Sequence, residues 1–272
     1  MKELTVWVRA AAATIALILS LGKANSHEFW IDAEIFEVPI GGIIEGNLRV
    51  GQEFEGAPQS YLPSRYTRFD ITVGNELFPV EGRLGDIPAL SMDGLPEGLA
   101  IVAHETTSSR LTYREWDRFV RFAEHKDFTE ALTEHVERGI SQTEFRESFS
   151  RHVKALFAIG DGAGEDRALG LETEIVALAN PYTDDLTDGL AVQVFRSGTP
   201  RADAQVELFQ RAPDGEVSIT LHRTDDEGIA VLPVMPDHVY FADAVVLEAR
   251  EPEAETDPVW HSYWAGLTFA VP

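Results

Sequence analysis

The sequence predicts a mainly β protein with two β-sandwich domains, the first of which carries a helical insertion of two or three helices. Two observations lead to this fold class. Short apolar runs separated by turn residues fill residues 28–113, and they resume from Leu171 to the end of the chain. Between these regions, residues 114–157 switch to apolar residues spaced three and four apart, which is typical of helices.

The first residues, 1–26, have the pattern of an export signal. A basic start and the apolar run at 10–21, which is too short to span a bilayer, precede the small residues Ala24 and Ser26. Cleavage after Ser26 would leave a mature chain that begins at His27, whereas cleavage after Ala24 would leave two residues before it. We therefore expect a periplasmic protein whose mature chain spans no membrane.

The first sandwich is predicted over residues 27–165. Apolar residues alternate or cluster at 43–50, 68–73 and 99–103. Turn residues such as Gly74-Asn75 separate these runs at regular intervals, which favours a sandwich over a parallel sheet.

The helical insertion is predicted at about 114–157. Helical spacing first links Trp116, Phe119, Val120 and Ala123. The pairs Asp127/Glu130 and Ser141/Glu144 have capping-box spacing, which would open a second and a third helix. One face of that third helix would present Phe145, Phe149, His152, Val153 and Leu156.

The second sandwich is predicted over residues 170–272. Strand patterns at 190–196 and 205–210 flank the turn Gly198-Thr199-Pro200, and a Thr-Asp-x-x-Gly turn at 224–228 precedes another strand. Residues 188–250 resemble the small seven-stranded sandwiches of the transthyretin-like and carboxypeptidase-regulatory-like type. That resemblance implies a binding or spacer module rather than a catalyst.

Charge and cysteine content limit the classes of function. The whole chain carries −24, and residues 1–26 hold three basic residues and one acidic residue, so the remainder carries −26. Such acidity argues against nucleic acid and anionic lipid as partners, because both bind basic patches. It attracts cations, but it equally serves solubility. Without any cysteine, a metal site must use histidine, carboxylate or an amine.

His27 is the leading candidate for chemistry. As the first residue of a mature chain it would carry both an α-amine and an imidazole, which together can chelate a transition metal. The pKa of an α-amine is about 7.7–8.0, so a metal ion can displace its proton near neutral pH. Cu(II) and Ni(II) favour the tetragonal nitrogen geometry that a second histidine would complete. In the alternative interpretation, His27 is simply the residue that cleavage exposes.

Sequence spacing does not select the further ligands. Four histidines fall in the middle of the chain: His104, His125, His135 and His152. None of them has His-x-x-x-His spacing, and His152 is the best candidate for a core histidine. The chain also lacks the Gly-x-Ser-x-Gly and His-Glu-x-x-His signatures of hydrolases and zinc proteases.

Motifs along the whole mature chain carry a family resemblance. They include His27-Glu28-Phe29-Trp30, Leu48-Arg49-Val50-Gly51, His104-Glu105-Thr106-Thr107, His125-Lys126-Asp127 and Asn180-Pro181-Tyr182. The chain resembles an exported family of unknown-function domains labelled as the periplasmic component of cobalt and nickel uptake. The resemblance implies a protein that binds Ni(II) or Co(II) and supports a membrane importer. His27, His104 and His125 match recurring positions of that family and are the expected ligands.

Two other functions stay open at the level of sequence. By coordination chemistry alone Cu(II) suits a nitrogen-rich site at least as well as nickel or cobalt. The chain could therefore be a copper-binding protein or a copper-dependent oxidative enzyme that uses an N-terminal histidine. It could also be a structural or interaction module whose histidines bind no metal.

Overall fold

A computed structural model describes residues 28–272. The predicted signal segment and His27 lie outside the described residues, so the expectations for them stay predictions. In the described part of the chain, no helix has the length and apolarity needed to cross a membrane.

The structure is mainly β, as the sequence predicts. Its strands are β1 Glu28–Asp32, β2 Glu37–Val38, β3 Ile44–Gln52, β4 Glu55–Gln59, β5 Tyr66–Val73, β6 Glu76–Pro79, β7 Leu90–Met92, β8 Gly98–Thr106, β9 Ser109–Tyr113, β10 Phe145–Ile159, β11 Thr173–Ala177, β12 Leu190–Arg196, β13 Thr199–Pro200, β14 Gln205–Arg211, β15 Val217–Arg223, β16 Ile229–Leu232, β17 His238–Ala249 and β18 Trp260–Val271. The helices are α1 Trp116–His125 and α2 Thr129–Glu137, and a 3-10 turn covers Pro63–Arg65.

One large sheet forms the middle of the molecule. Its strand order is β15-β14-β17-β18-β10-β8-β5-β6, with β2 and β9 also paired to β10. Two smaller sheets cover it, one made of β1, β3, β4 and β7 and the other of β11, β12, β13 and β16. Successive side chains of β8 point to opposite faces of the central sheet. Ala100 and Val102 pack in the core with β1 and β3, whereas Leu99 and Ile101 pack with β11 and β12.

The central sheet runs across the predicted boundary between the two sandwiches. β10 precedes that boundary and β18 follows it, and the two strands pair in parallel from Glu147 with Trp260 to Ala155 with Thr268. Each outer sheet therefore forms a sandwich with a different face of the same central sheet. The division into residues 27–165 and 170–272 stays a prediction.

The prediction of a third helix is wrong, because Phe145–Ile159 forms the long strand β10. Phe145, Phe149 and Val153 are four residues apart, and a spacing of four places residues on one face of a strand as well as of a helix. The strand is also covered on both faces, so its apolar residues do not alternate with polar ones. The insertion therefore contains two helices, which pack on the central sheet through an aromatic cluster that includes Phe119, Trp260 and Trp264.

Candidate functional site

The end of helix α1 supplies two basic side chains to the site. Lys126 is the C-cap residue, and Asp127 follows with a left-handed φ of 62°. The amide of Phe128 then donates to the carbonyl of Ala123, which closes the Schellman pattern and ends the helix sharply. This turn presents His125 and Lys126 at the carboxyl end of the helix, where the helix dipole stabilises positive charge.

Three strands supply carboxylates that face this helix end. Glu28 begins β1, Glu207 lies on β14 and Asp243 lies on β17. The antiparallel register of β14 and β17 places Glu207 directly opposite Asp243. All three carboxylates are buried, and we call them the acidic cluster.

Lys126 holds the acidic cluster together. Its Nζ lies 2.8 Å from Asp243 Oδ2 and 3.3 Å from Glu28 Oε1, and it also contacts Glu207 Oε2. The ammonium lies 4.9 Å from the centre of the Trp264 ring. A buried charge is tolerated when opposite charges and hydrogen bonds surround it, and here three carboxylates do so.

The pKa shifts at this site follow from burial and from the charged groups around each side chain. Burial is the main reason that the pKa of Asp243 rises to about 7, since it outweighs the attraction of Lys126. Burial also acts to raise the pKa of Glu207, but the hydrogen bond from His125 and the charge of Lys126 lower it overall. The same hydrogen bond raises the pKa of His125, whose Nε2 lies 3.0 Å from Glu207 Oε1.

Part of this arrangement can hold a metal ion. Ligand atoms of Glu28, His125 and Glu207 all lie within 4.8 Å of one another. Glu28 is buried, and among the described residues its Oε2 has no hydrogen-bond partner. One imidazole nitrogen and two carboxylate oxygens are ligands that divalent transition metals accept.

The predicted ligands occupy different surroundings. His125 belongs to the group of three just described, whereas His104 does not. His104 is 2 % exposed and lies among the rings of Phe29, Tyr66 and Phe69, at 5.2, 5.3 and 4.9 Å. Burial lowers its pKa to about 3, so the ring is neutral at physiological pH.

His104 also lines a small cavity of its own. The cavity has a volume of about 210 Å³, and its lining includes Phe29, His104 and Arg151. Among the described residues, His104 Nδ1 has no hydrogen-bond partner. His104 therefore lies in the wall of this cavity and outside the group of three.

The other two histidines of the middle region have protein partners. His135 accepts a hydrogen bond from Trp260 Nε1 at 3.0 Å and contacts the carbonyl of Ser141, so it fixes α2 to the sheet. His152 is buried, as predicted for a core histidine, but on a strand rather than a helix.

Sequence reasoning missed the acidic cluster and gave Lys126 no role. A signal for it existed, because Glu207 and Asp243 interrupt otherwise apolar strands at Val206-Glu207-Leu208 and Ala242-Asp243-Ala244. Charged residues in such runs are seldom buried without a partner. Nothing in the sequence, however, identifies Lys126 as that partner, since it lies 81 and 117 positions away from them.

Comparison with known proteins gives a family but no characterised relative. A search of curated proteins finds no match. Among solved structures, one match is the crystal structure of a tetra-tandem repeat in the extending region of a large adhesion protein. It is 11% identical with a TM-score of 0.20, and the match covers 90% of this chain and half of that one. The family model described as "Domain of unknown function (DUF4198)" matches residues 24–248. The chain therefore belongs to the DUF4198 family.

Proposed function

We propose that this protein is a periplasmic carrier that binds a transition-metal ion, with Ni(II) or Co(II) as its cargo, and supports a membrane importer. The observation that carries the proposal is the convergence of ligand atoms from Glu28, His125 and Glu207 within 4.8 Å. The resemblance to exported proteins labelled for cobalt and nickel uptake supports the choice of cargo. The second half of the chain would then be the transthyretin-like binding or spacer module.

The charge of the site favours an added cation. Three buried carboxylates surround one lysine ammonium, so the acidic cluster holds more negative than positive charge when it is fully ionised. Burial raises the pKa of Asp243, and the neighbouring carboxylates of Glu207 and Glu28 raise it further. A divalent cation beside Glu28 and Glu207 would stabilise their ionised forms by Coulomb attraction in a poorly hydrated site.

The covalent chain brings His27 into the same proposal. Consecutive Cα atoms are about 3.8 Å apart, so residue 27 is attached directly to a member of the acidic cluster. If cleavage follows Ser26, the α-amine and imidazole of His27 would join the His125 imidazole and the two carboxylates. We leave His104 out of the proposed ligand set, because it lies in an aromatic environment outside the group of three.

Metal titration tests this function. We would titrate the chain that begins at His27 with Ni(II), Co(II) and Cu(II) by calorimetry. Two variants remove nitrogen ligands: His125→Ala, and a chain with one extra alanine before His27. Each should weaken binding at least about 10-fold. His222→Ala is the matched control, because this histidine lies on β15, outside the group of three.

The outcomes separate the proposed functions. Equal affinities for all variants, or no binding, would reject the metal site and favour a structural or interaction module. Affinity is expected to rise from Co(II) through Ni(II) to Cu(II) for any such donor set, so affinity alone does not identify the cargo. Cellular uptake of nickel and cobalt, compared between cells with and without the protein, tests delivery. Peroxide formation with copper and a reductant would favour the copper enzyme instead.

A further inference from the structure

A chain of polar side chains lies on the face of the central sheet that β11 and β12 partly cover. Ser150 and His152 are two residues apart on β10 and therefore share this face. Ser150 Oγ lies 2.9 Å from His152 Nε2, and His152 Nδ1 lies 2.9 Å from Glu105 Oε1 on β8. A serine, an imidazole and a carboxylate in this order are the three parts of an activated nucleophile.

The acceptor-only carboxylate sets the direction of the hydrogen bonds. Glu105 accepts from His152 Nδ1–H, so His152 Nε2 is left to accept the single proton of the Ser150 hydroxyl. On its other side, Ser150 Oγ lies 3.2 Å from His261 Nε2, and His261 Nδ1 lies 2.7 Å from Ser148 Oγ. Ser150 must then accept from His261 Nε2–H, while His261 Nδ1 accepts from Ser148. We call these five residues the hydroxyl relay.

Two imidazoles thus act on one serine oxygen with opposite roles. His152 is oriented to remove the serine proton, and His261 donates its Nε2–H to the same serine oxygen. Burial lowers the pKa of His261 to about 4, which keeps that ring neutral and its donor in place at neutral pH. This donor lies on the serine oxygen and not where the carbonyl oxygen of an ester would sit, so His261 orients Ser150 and does not form an oxyanion hole.

The hydroxyl relay lies beside an apolar core. Ser150 and His152 are buried, and Leu156 and Ala265 on the same face belong to an apolar core. The Ser150 hydroxyl donates to one ring nitrogen and accepts from another, and both nitrogens lie within 3.2 Å. On the same face, His261 and Tyr263 are only half-buried.

We propose that Ser150, His152 and Glu105 form a nucleophilic triad that hydrolyses small acyl esters. Ser150 Oγ would attack the ester carbonyl carbon as its proton passes to His152 Nε2, and the departing alcohol would take that proton as its C–O bond breaks. Water would then attack the acyl-serine and give a proton to His152, which passes it to Ser150 Oγ as the acyl C–O bond breaks and the carboxylic acid leaves. This activity is independent of the metal proposal, because the relay shares no residue with the acidic cluster.

Covalent labelling tests the triad. The folded chain is treated with diisopropyl fluorophosphate, and the modified residue is located by mass spectrometry. We expect one label, on Ser150, together with hydrolysis of p-nitrophenyl acetate. Ser150→Ala should abolish labelling, and both it and His152→Gln should lower kcat/KM at least about 10³-fold. Ser218→Ala, an exposed serine on β15, is the control and should change neither.

A cysteine variant keeps the test decisive if Ser150→Ala is unstable. The chain has no cysteine, so Ser150→Cys introduces the single thiol. Beside His152 this thiol should react with iodoacetamide at least about 10-fold faster at pH 7 than the control Ser218→Cys, because a neighbouring imidazole favours the thiolate. Absence of labelling in the folded wild-type chain, or equal reactivity of the two thiols, would overturn the proposal.

Discussion

Lys126 Nζ lies 2.8 Å from Asp243 Oδ2, and neither side chain is more than 3% exposed. The lysine comes from the end of a helix and the aspartate from an inner strand of the central sheet. Because the same ammonium also contacts Glu28 and Glu207, one residue joins the helical insertion, β1 and two strands of the second half. Lys126 and the acidic cluster therefore stabilise the fold, and the acidic cluster also supplies carboxylates to the proposed metal site.

Removing the lysine should destabilise the protein strongly. Lys126→Met would leave buried carboxylates without their counter-charge, and breaking a buried pair in this way costs about 3–5 kcal/mol. We expect that loss in the free energy of unfolding at pH 7, measured by urea denaturation. Arg223→Met is the control, because it breaks an exposed pair with Asp127 and should cost less than about 1 kcal/mol. Equal losses in both variants would contradict the assigned role of Lys126.

Glu147 should make stability depend on pH. Its carboxyl is fully buried, and burial raises its pKa from 4.5 to about 7 despite hydrogen bonds from Ser262 and Tyr113. The folded state therefore holds a proton that the unfolded state releases between about pH 4.5 and 7, so Glu147 lowers stability as pH rises through that window.

The neutral variant Glu147→Gln isolates this effect. The difference in free energy of unfolding, variant minus wild type, should increase by on the order of 3 kcal/mol between pH 4 and pH 8. The change with pH is the readout, since a loss of hydrogen bonding would shift the variant equally at every pH. Glu45→Gln, at an exposed position, should follow the wild-type curve. Parallel curves for Glu147→Gln would contradict the raised pKa.

The fold could be predicted from sequence where side-chain period and burial agree. The alternating run at 68–73 and the apolar cluster at 99–103 lie within strands β5 and β8, and the apolar spacing from Trp116 to Ala123 is that of α1. The prediction failed at β10, where burial on both faces removed the alternation and left a spacing of four that fits either structure. The shared central sheet was also beyond sequence, because β10 and β18 pair across more than 100 positions.

The candidate site was predictable only in part. His125 was selected from sequence, and it does lie with two carboxylates. Its partners Glu28 and Glu207 come from strands that only the folded chain brings together. His104 was selected by the same reasoning, yet its neighbours are aromatic rings contributed by β1 and β5. Metal preference depends on such neighbours, and spacing along the chain does not report them.

Of the three predicted ligand histidines, His125 and His104 should have pKa values shifted in opposite directions. The hydrogen bond to Glu207 raises the pKa of His125 above 6.5, whereas burial lowers that of His104 to about 3. In nitrogen-15 NMR spectra recorded from pH 5 to 8, the His125 ring should change protonation and the His104 ring should stay neutral. Glu207→Gln should lower the pKa of His125 and leave His104 unchanged. A His104 ring that titrates near 6.5 would show that it is not buried as described.

Substitution of Gly266 tests how tightly β18 packs where the two halves of the chain meet in the central sheet. Gly266 on β18 is paired with Val153 on β10 and Asp243 on β17. A Cβ at Gly266 would lie 2.8 Å from Phe241 Cε2 and 2.9 Å from Val153 Cγ1, both too close for normal contact. Gly266→Ala should therefore lower the free energy of unfolding by about 1–3 kcal/mol, the usual cost of overpacking.

A double-mutant cycle distinguishes this crowding from a general intolerance of substitution at Gly266. Phe241→Leu removes the ring edge that the new methyl group would meet, so Gly266→Ala should cost less in that background than in the wild type.

Because β10 and β18 join regions on both sides of the predicted domain boundary, tryptophan fluorescence and far-ultraviolet circular dichroism should report one coincident unfolding transition. Two separate transitions, with only one shifted by Gly266→Ala, would instead show that the two sandwiches unfold independently.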